Sequence, residues 1–146
     1  MSPGWALGAL VLLVALATVI GVLLKKRDGR SKAVTTHGAI LPEDLALPAD
    51  AFGDRATLVQ FSTVMCAKCP ATRRLLVEEA SRREGVVHVD VDLTHRADLA
   101  TRFSVLQTPT TLVLDARGVP TARIAGAPTR ATVIAALDRL EGAIHV

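Results

Sequence analysis

One feature constrains this chain before any other: residues 5–24 form an uncharged run made almost wholly of Leu, Val, Ala, Ile and Gly. As a helix, about 20 such residues cross a hydrocarbon core of about 30 Å. A globular helix has no need of so long a stretch without charge. Trp5 stands at one end, where an indole suits the headgroup region, and Lys25, Lys26 and Arg27 close the other. Gly8 and Gly21 are compatible with a membrane helix. A cleaved signal peptide is the competing reading, and Ala15-Leu16-Ala17 resembles a small-residue cleavage site. Residues 1–5 nevertheless lack the basic side chains of such a leader, and the apolar run continues past Ala17 to the basic cluster. Residues 1–27 therefore read as a single transmembrane anchor with a basic flank. Lys and Arg are retained on the cytoplasmic side, so the flank predicts a single-pass protein of the cell membrane whose globular part faces the cytoplasm. The alternative is an extracytoplasmic globular part.

The charge balance supports that division. Lys25, Lys26, Arg27, Arg30 and Lys32 against Asp28 give +4, whereas the whole chain sums to +3, so the remainder is about −1. The globular part has no basic stripe, which excludes nucleic acid as a partner. The basic run Lys25–Lys32 acts as a topology signal and as a contact for lipid headgroups. Two cysteines cannot build a multi-bridge scaffold or a four-cysteine zinc site. His37, His88, His95 and His145 form no H-x3–5-H pair, so no metal or cofactor is implied.

Residues 28–53 read as a linker: Gly29, Gly38, Pro42, Pro48 and Gly53 interrupt it, with one short local element around residues 44–47. Residues 54–146 read as one domain. Residues 57–62 form a short apolar strand. Residues 67–83 form a helix with Leu75, Leu76 and Ala80 inward, stopped by Gly85. Residues 86–92 alternate as a strand, with Val87, Val89 and Val91 on one side and His88, Asp90 and Asp92 on the other, the last two at a solvated strand end. Thr94 caps a short helix to Phe103. Residues 110–115 and 120–125 form a hairpin about Ala116-Arg117-Gly118. Thr129 caps a last helix with Val133, Ile134, Leu137 and Leu140 inward. The order βαβαββα predicts an α/β three-layer sandwich with a four-stranded mixed sheet, preceded by the transmembrane helix.

The chemistry lies in Cys66-Ala67-Lys68-Cys69, between the first strand and the first long helix. A helix N-terminus presents free N–H groups and partial positive charge, which favours a thiolate and lowers its pKa. Lys68 adds a positive charge, and Pro70 suits a first turn, where its missing N–H costs little. The spacing lets one sulfur reach the other. Cys66 is the candidate nucleophile, and Cys69 the thiol that resolves the mixed disulfide. Ordinary buried cysteines, or half of a metal site, are the plainer alternatives.

The stretch from Thr57-Leu58-Val59-Gln60-Phe61 through Cys66-Ala67-Lys68-Cys69, with Thr108-Pro109-Thr110 and Gly126, resembles the thioredoxin family over residues 54–143. The resemblance implies a divergent, membrane-anchored bacterial member. It makes Pro109 a cis-proline beside the cysteines and Thr108 the residue whose backbone pairs with an extended substrate. Gly126 becomes the glycine that leaves room for a bound chain. Met65, a packing or substrate-contact residue, stands in place of the family's tryptophan, Ala67-Lys68 replaces its Gly-Pro, and Gln60 its buried aspartate. Gln60 cannot act as a base near pH 7, and His88 is the candidate partner for it. The function implied is a thiol–disulfide oxidoreductase exchanging electrons with protein disulfides or dithiols, in either direction, together with a further electron donor or acceptor. Two other classes stand beside it: a membrane-tethered docking or assembly module on the same fold, and a carrier holding a soft ion such as Cu(I) between two thiolates.

Overall fold

A computed structural model of the chain describes residues 3–27, 31–33 and 38–144. His37, His145, Asp28 and Arg30 lie outside the described residues, as do the side chains of Lys25, Lys26, Arg27 and Lys32. The elements in chain order are helix α1 (Pro3–Arg27), strand β1 (Ser31–Ala33), a 3-10 turn (Pro42–Leu45), β2 (Ala56–Ser62), α2 (Cys69–Ser81), β3 (Val86–Asp92), α3 (Ala97–Arg102), β4 (Thr110–Asp115), β5 (Pro120–Ala125) and α4 (Arg130–Ile144).

The 25 residues of α1 make a helix about 37 Å long at the standard rise. Its described apolar side chains, among them Leu10, Leu12, Leu13 and Leu16, are exposed. Among the described residues, no helix is long and apolar enough to cross a membrane. The side chains described without a break cover only 7–23, a shorter stretch than the run in the sequence.

The sheet has five strands in the order β1-β5-β4-β2-β3, one more than the sequence predicts. β2 pairs parallel with β3 and antiparallel with β4, and β5 pairs antiparallel with β4 and with β1. The extra strand is Ser31–Ala33, inside the expected linker. Three residues carry no readable period. They form a strand because β5 offers them an unpaired edge, in the register Ser31 to Ile124 and Ala33 to Ala122.

Every residue of β2 is buried, as a central strand with cover on both faces requires. One face packs Leu58 and Val113 against Leu76 and Ala80 of α2 and Val133, Ala136 and Leu137 of α4. The other packs Val59, Phe61, Val91 and Leu112 against Leu99 and Phe103, with the Phe61 and Phe103 rings stacked at 5.6 Å. Ile40 and Leu45 belong to this second core. Part of the stretch expected to be a linker is thus packed structure, because the face that α3 leaves open needs apolar cover. Ile40 N–H donates to Gly118 O at 2.8 Å, fixing that segment to the β4–β5 turn.

Thr129 caps α4 as the sequence predicts, accepting from Thr132 N–H at 3.2 Å. Thr94 does not cap α3. Its hydroxyl instead accepts from Val64 N–H at 3.0 Å, and its own N–H donates to Asp92 Oδ1 at 2.8 Å, which ties the loop before the cysteines to the end of β3.

Candidate active site

β2 ends at Ser62, and the chain turns through Thr63-Val64-Met65 into the cysteine pair. Two backbone bonds shape the turn: Cys66 N–H to Thr63 O at 3.1 Å and Cys69 N–H to Cys66 O at 3.2 Å. α2 then starts at Cys69, with Lys68 as its N-cap and Pro70 in the first turn. Cys66 and Cys69 form a disulfide with Cα atoms 5.4 Å apart. The two sulfur-bearing residues are not equivalent. Cys69 is 3% exposed, whereas Cys66 is half-buried and opens to solvent.

The Thr108–Pro109 peptide is cis, at the start of β4. Thr108 reaches the site: its hydroxyl lies 3.3 Å from that of Thr63, and it shares a shallow cleft with Met65, Cys66, Ala67 and Lys68. Gly126, at φ 82°, donates its N–H to Pro109 O at 2.8 Å, so it holds the prolyl loop from behind. Met65, Cys66, Lys68, Cys69, Thr108, Pro109 and Gly126 thus fall at this end of the sheet, and of these Met65, Cys66, Lys68 and Thr108 line the cleft. Two exposed apolar side chains border the pair, Val64 at 73% and Met65 at 88%, beside the polar Thr63, Lys68 and Thr108.

Beneath Cys69 lies Gln60, wholly buried on β2. Its amide Nε2 donates to Cys69 O at 3.1 Å, and its Oε1 faces His88 Nε2 at 3.2 Å. An oxygen accepts only from a hydrogen, so Nε2 of His88 carries the proton and the imidazole is the donor. Burial, foremost, holds His88 below its ordinary pKa of 6.5; Asp90 opposes that effect and Arg73 adds to it. The imidazole is therefore neutral at pH 7.

Asp90 is not at a solvated strand end. Its side chain is 17% exposed and pairs with Arg73 of α2 at 2.6 Å, while Ser62 Oγ donates to its other oxygen. Parallel pairing puts Asp90 opposite Gln60 on β2. No periodicity in one strand states that register, so sequence reasoning missed Ser62, Arg73 and Asp90 as the wall beside the pair. Ser62, Arg73, Cys69, Cys66 and Asp92 line a second small cleft on this side. Asp92 itself is exposed, and its hydrogen bonds with Thr94 lower its pKa. Among the described residues, no group of three or more His, Cys, Asp or Glu is placed to hold a metal ion.

No protein-family model matches the chain, and a comparison with curated proteins finds no match. Solved structures do match. The chain is similar to a reduced thioredoxin pre-protein from Schistosoma mansoni, at TM-score 0.52 and 18% identity over 60% of this chain and 81% of that one. It is similar to thioredoxin NaTrxh from Nicotiana alata, at 0.52 and 22% over 59% and 73%. It is also similar to thioredoxin f from spinach chloroplast, at 0.53 and 19% over 61% and 79%. The fold is thioredoxin-like. This chain is a thioredoxin-fold protein with a cysteine pair at C-x-x-C spacing, disulfide-bonded at the start of a helix.

Proposed function

We propose that this chain is a protein-disulfide oxidoreductase held at a membrane surface, with Cys66 as the nucleophile and Cys69 as the resolving thiol. The observation that carries the reading is the unequal burial of the pair: Cys66 is open to a partner and Cys69 is 3% exposed. In the reducing direction, the Cys66 thiolate attacks one sulfur of a substrate disulfide. A Cys66–substrate bond forms, and the other substrate sulfur leaves as a thiolate. The Cys69 thiol loses its proton to solvent and attacks Cys66. The Cys66–Cys69 bond forms, and the second substrate sulfur leaves with the electron pair. The substrate gains two electrons and the pair loses two; a separate dithiol donor restores it. The reverse sequence oxidises a dithiol. The N-terminus of α2, 13 residues long, favours the thiolate in either direction.

The exposed Val64 and Met65 beside the pair suit a substrate with an apolar residue next to its cysteine. The membrane assignment rests on the uncharged run at residues 5–24 of the sequence, whose described apolar side chains are exposed. Thr18, within α1, turns its hydroxyl inward to Val14 O at 2.7 Å, so it presents no unpaired donor to lipid. A cytoplasmic domain follows from the basic flank after the helix.

The test is disulfide reduction by the full-length chain with a dithiol as electron source, comparing the wild type with Cys66→Ser and Cys69→Ser. Activity is lost in Cys66→Ser, and Cys69→Ser accumulates a mixed disulfide with substrate. Turnover that persists in Cys66→Ser rules the reading out. An impermeant thiol reagent applied to reduced intact cells labels Cys66 only if the domain faces outward, which would reverse the orientation.

A further inference from the structure

We propose that Gln60 and His88 are positioning residues for the resolving half of the disulfide, with the imidazole acting on Cys69 through the Gln60 amide. The inference rests on the oxidoreductase reading and names two residues that it does not use.

The geometry is a three-part chain across the sheet. His88 Nε2–H on β3 donates to Gln60 Oε1 at 3.2 Å, and Gln60 Nε2 on β2 donates to Cys69 O at 3.1 Å. An amide with no solvent exposure has no water to turn toward, so its orientation is set by these two partners. If His88 ceased to donate, Oε1 would be left buried and unpaired, and the amide would be free to rotate away from Cys69. Cys69 is the first residue of α2, so its place fixes the place of the resolving sulfur.

The imidazole also gives the chain a proton-dependent charge. Its Nε2 already carries a hydrogen, so protonation adds the second one at Nδ1 and leaves the bond to Gln60 in place. That bond then becomes charge-assisted, and the field at Cys69 favours the thiolate. The charged groups that face His88 are Asp90 on its own strand and Arg73 from α2, and they are paired with each other at 2.6 Å. β2 contributes only neutral Leu58, in register with His88, and neutral Gln60. The closed ion pair leaves the imidazole as the titrating charge of this wall near neutrality. A reduced pair can carry a thiolate whereas the disulfide carries no charge, so the reduced chain holds the His88 proton more tightly than the oxidised chain does.

The experiment equilibrates the full-length chain with dithiothreitol from pH 5.5 to 8.5 and counts reduced pairs by thiol labelling and mass. The variants are His88→Gln, which keeps a neutral donor, and His88→Leu, which removes it. As the pH falls below 6.5 toward the lowered pKa of His88, the wild type becomes progressively easier to reduce than His88→Gln. The two curves meet above that pH. His88→Leu lacks the acid shift and also slows release of a mixed disulfide by Cys69, a step that His88→Gln preserves. Identical reduction curves for wild type and His88→Gln at every pH overturn the inference alone. A pair that does not exchange with dithiothreitol at any pH overturns the oxidoreductase reading, and this inference with it.

Discussion

Reducing the Cys66–Cys69 bond should cost the folded domain about 2 kcal/mol. The bridge joins residues with a sequence separation of 3. Chain-entropy arithmetic for so short a loop gives roughly 1.6–1.9 kcal/mol at 25 °C. The native side of the balance changes little. Gln60 bonds the backbone oxygen of Cys69 and not its sulfur, so the floor of the site survives reduction. Cys66 is already half open to water. For a domain of about 100 residues, each kcal/mol moves Tm by roughly 4–8 °C, so reduction lowers Tm by roughly 6–15 °C. Thermal unfolding of the full-length chain with and without excess dithiothreitol reads the shift. The Cys66→Ser, Cys69→Ser double variant, which has no bridge, should not respond to the reductant. By thermodynamic closure, the same free energy is the amount by which folding protects the bond from reduction, about 40 mV for a two-electron couple. A reduced chain as stable as the oxidised one, or more stable, would refute the argument. The fold would then favour the dithiol and the chain would act as an oxidant.

Three further outcomes follow from particular residues. Arg130→Ala strands the carboxylate of Glu79, whose side chain is 3% exposed and pairs with Arg130; the loss is about 2 kcal/mol in urea unfolding, and a change below about 0.5 kcal/mol would contradict it. Gly118→Ala places a Cβ 2.2 Å from Ile40 O on a backbone at φ +75°, so stability falls by more than about 1 kcal/mol and the Ile40 amide loses protection in hydrogen exchange. Burial lowers the pKa of His88, so the unfolded chain takes up its proton first as the pH drops below 6.5. Its contribution to stability is complete above that pH and is lost as the pH falls through the lower folded value. His88→Gln flattens this acid limb in a series of unfolding midpoints, and an unchanged limb would show that another group causes it.

The sequence made the elements with strong local signals legible. The strand at Ala56–Ser62, the β4–β5 hairpin and the Thr129 cap all follow from periodicity and turn chemistry that neighbours do not override. The position of the cysteines at a helix start was legible for the same reason, as was the pairing of Gln60 with His88. What escaped was set by partners distant in the chain. Ser31–Ala33 becomes a strand only because β5 has a free edge. Ile40 and Leu45 become core only because α3, at six residues, leaves part of its face uncovered. Asp90 looks solvated from its alternation, yet the parallel register and the nearby α2 bring Ser62 and Arg73 to it.

The departures at Met65, Lys68 and Gln60 separate into two kinds of effect. Met65 and Lys68 are exposed and border the same cleft as Cys66 and Thr108, so they act on what approaches. Gln60 is buried and bonds the backbone oxygen of Cys69, so it acts on the placement of the resolving residue. A buried carboxylate in its place would add a charge that the thiolate opposes, and desolvation would drive it to keep a proton. A neutral amide removes that competition and leaves its oxygen for an imidazole donor. The wall beside it is closed by the Arg73–Asp90 pair, whose charges cancel. The resolving cysteine thus sits over a floor that is polar, hydrogen-bonded and uncharged at pH 7, and its one proton-sensitive member is on the edge strand, reachable from solvent. Rim and floor can therefore change independently: the rim alters which disulfide enters, and the floor alters how readily Cys69 releases it.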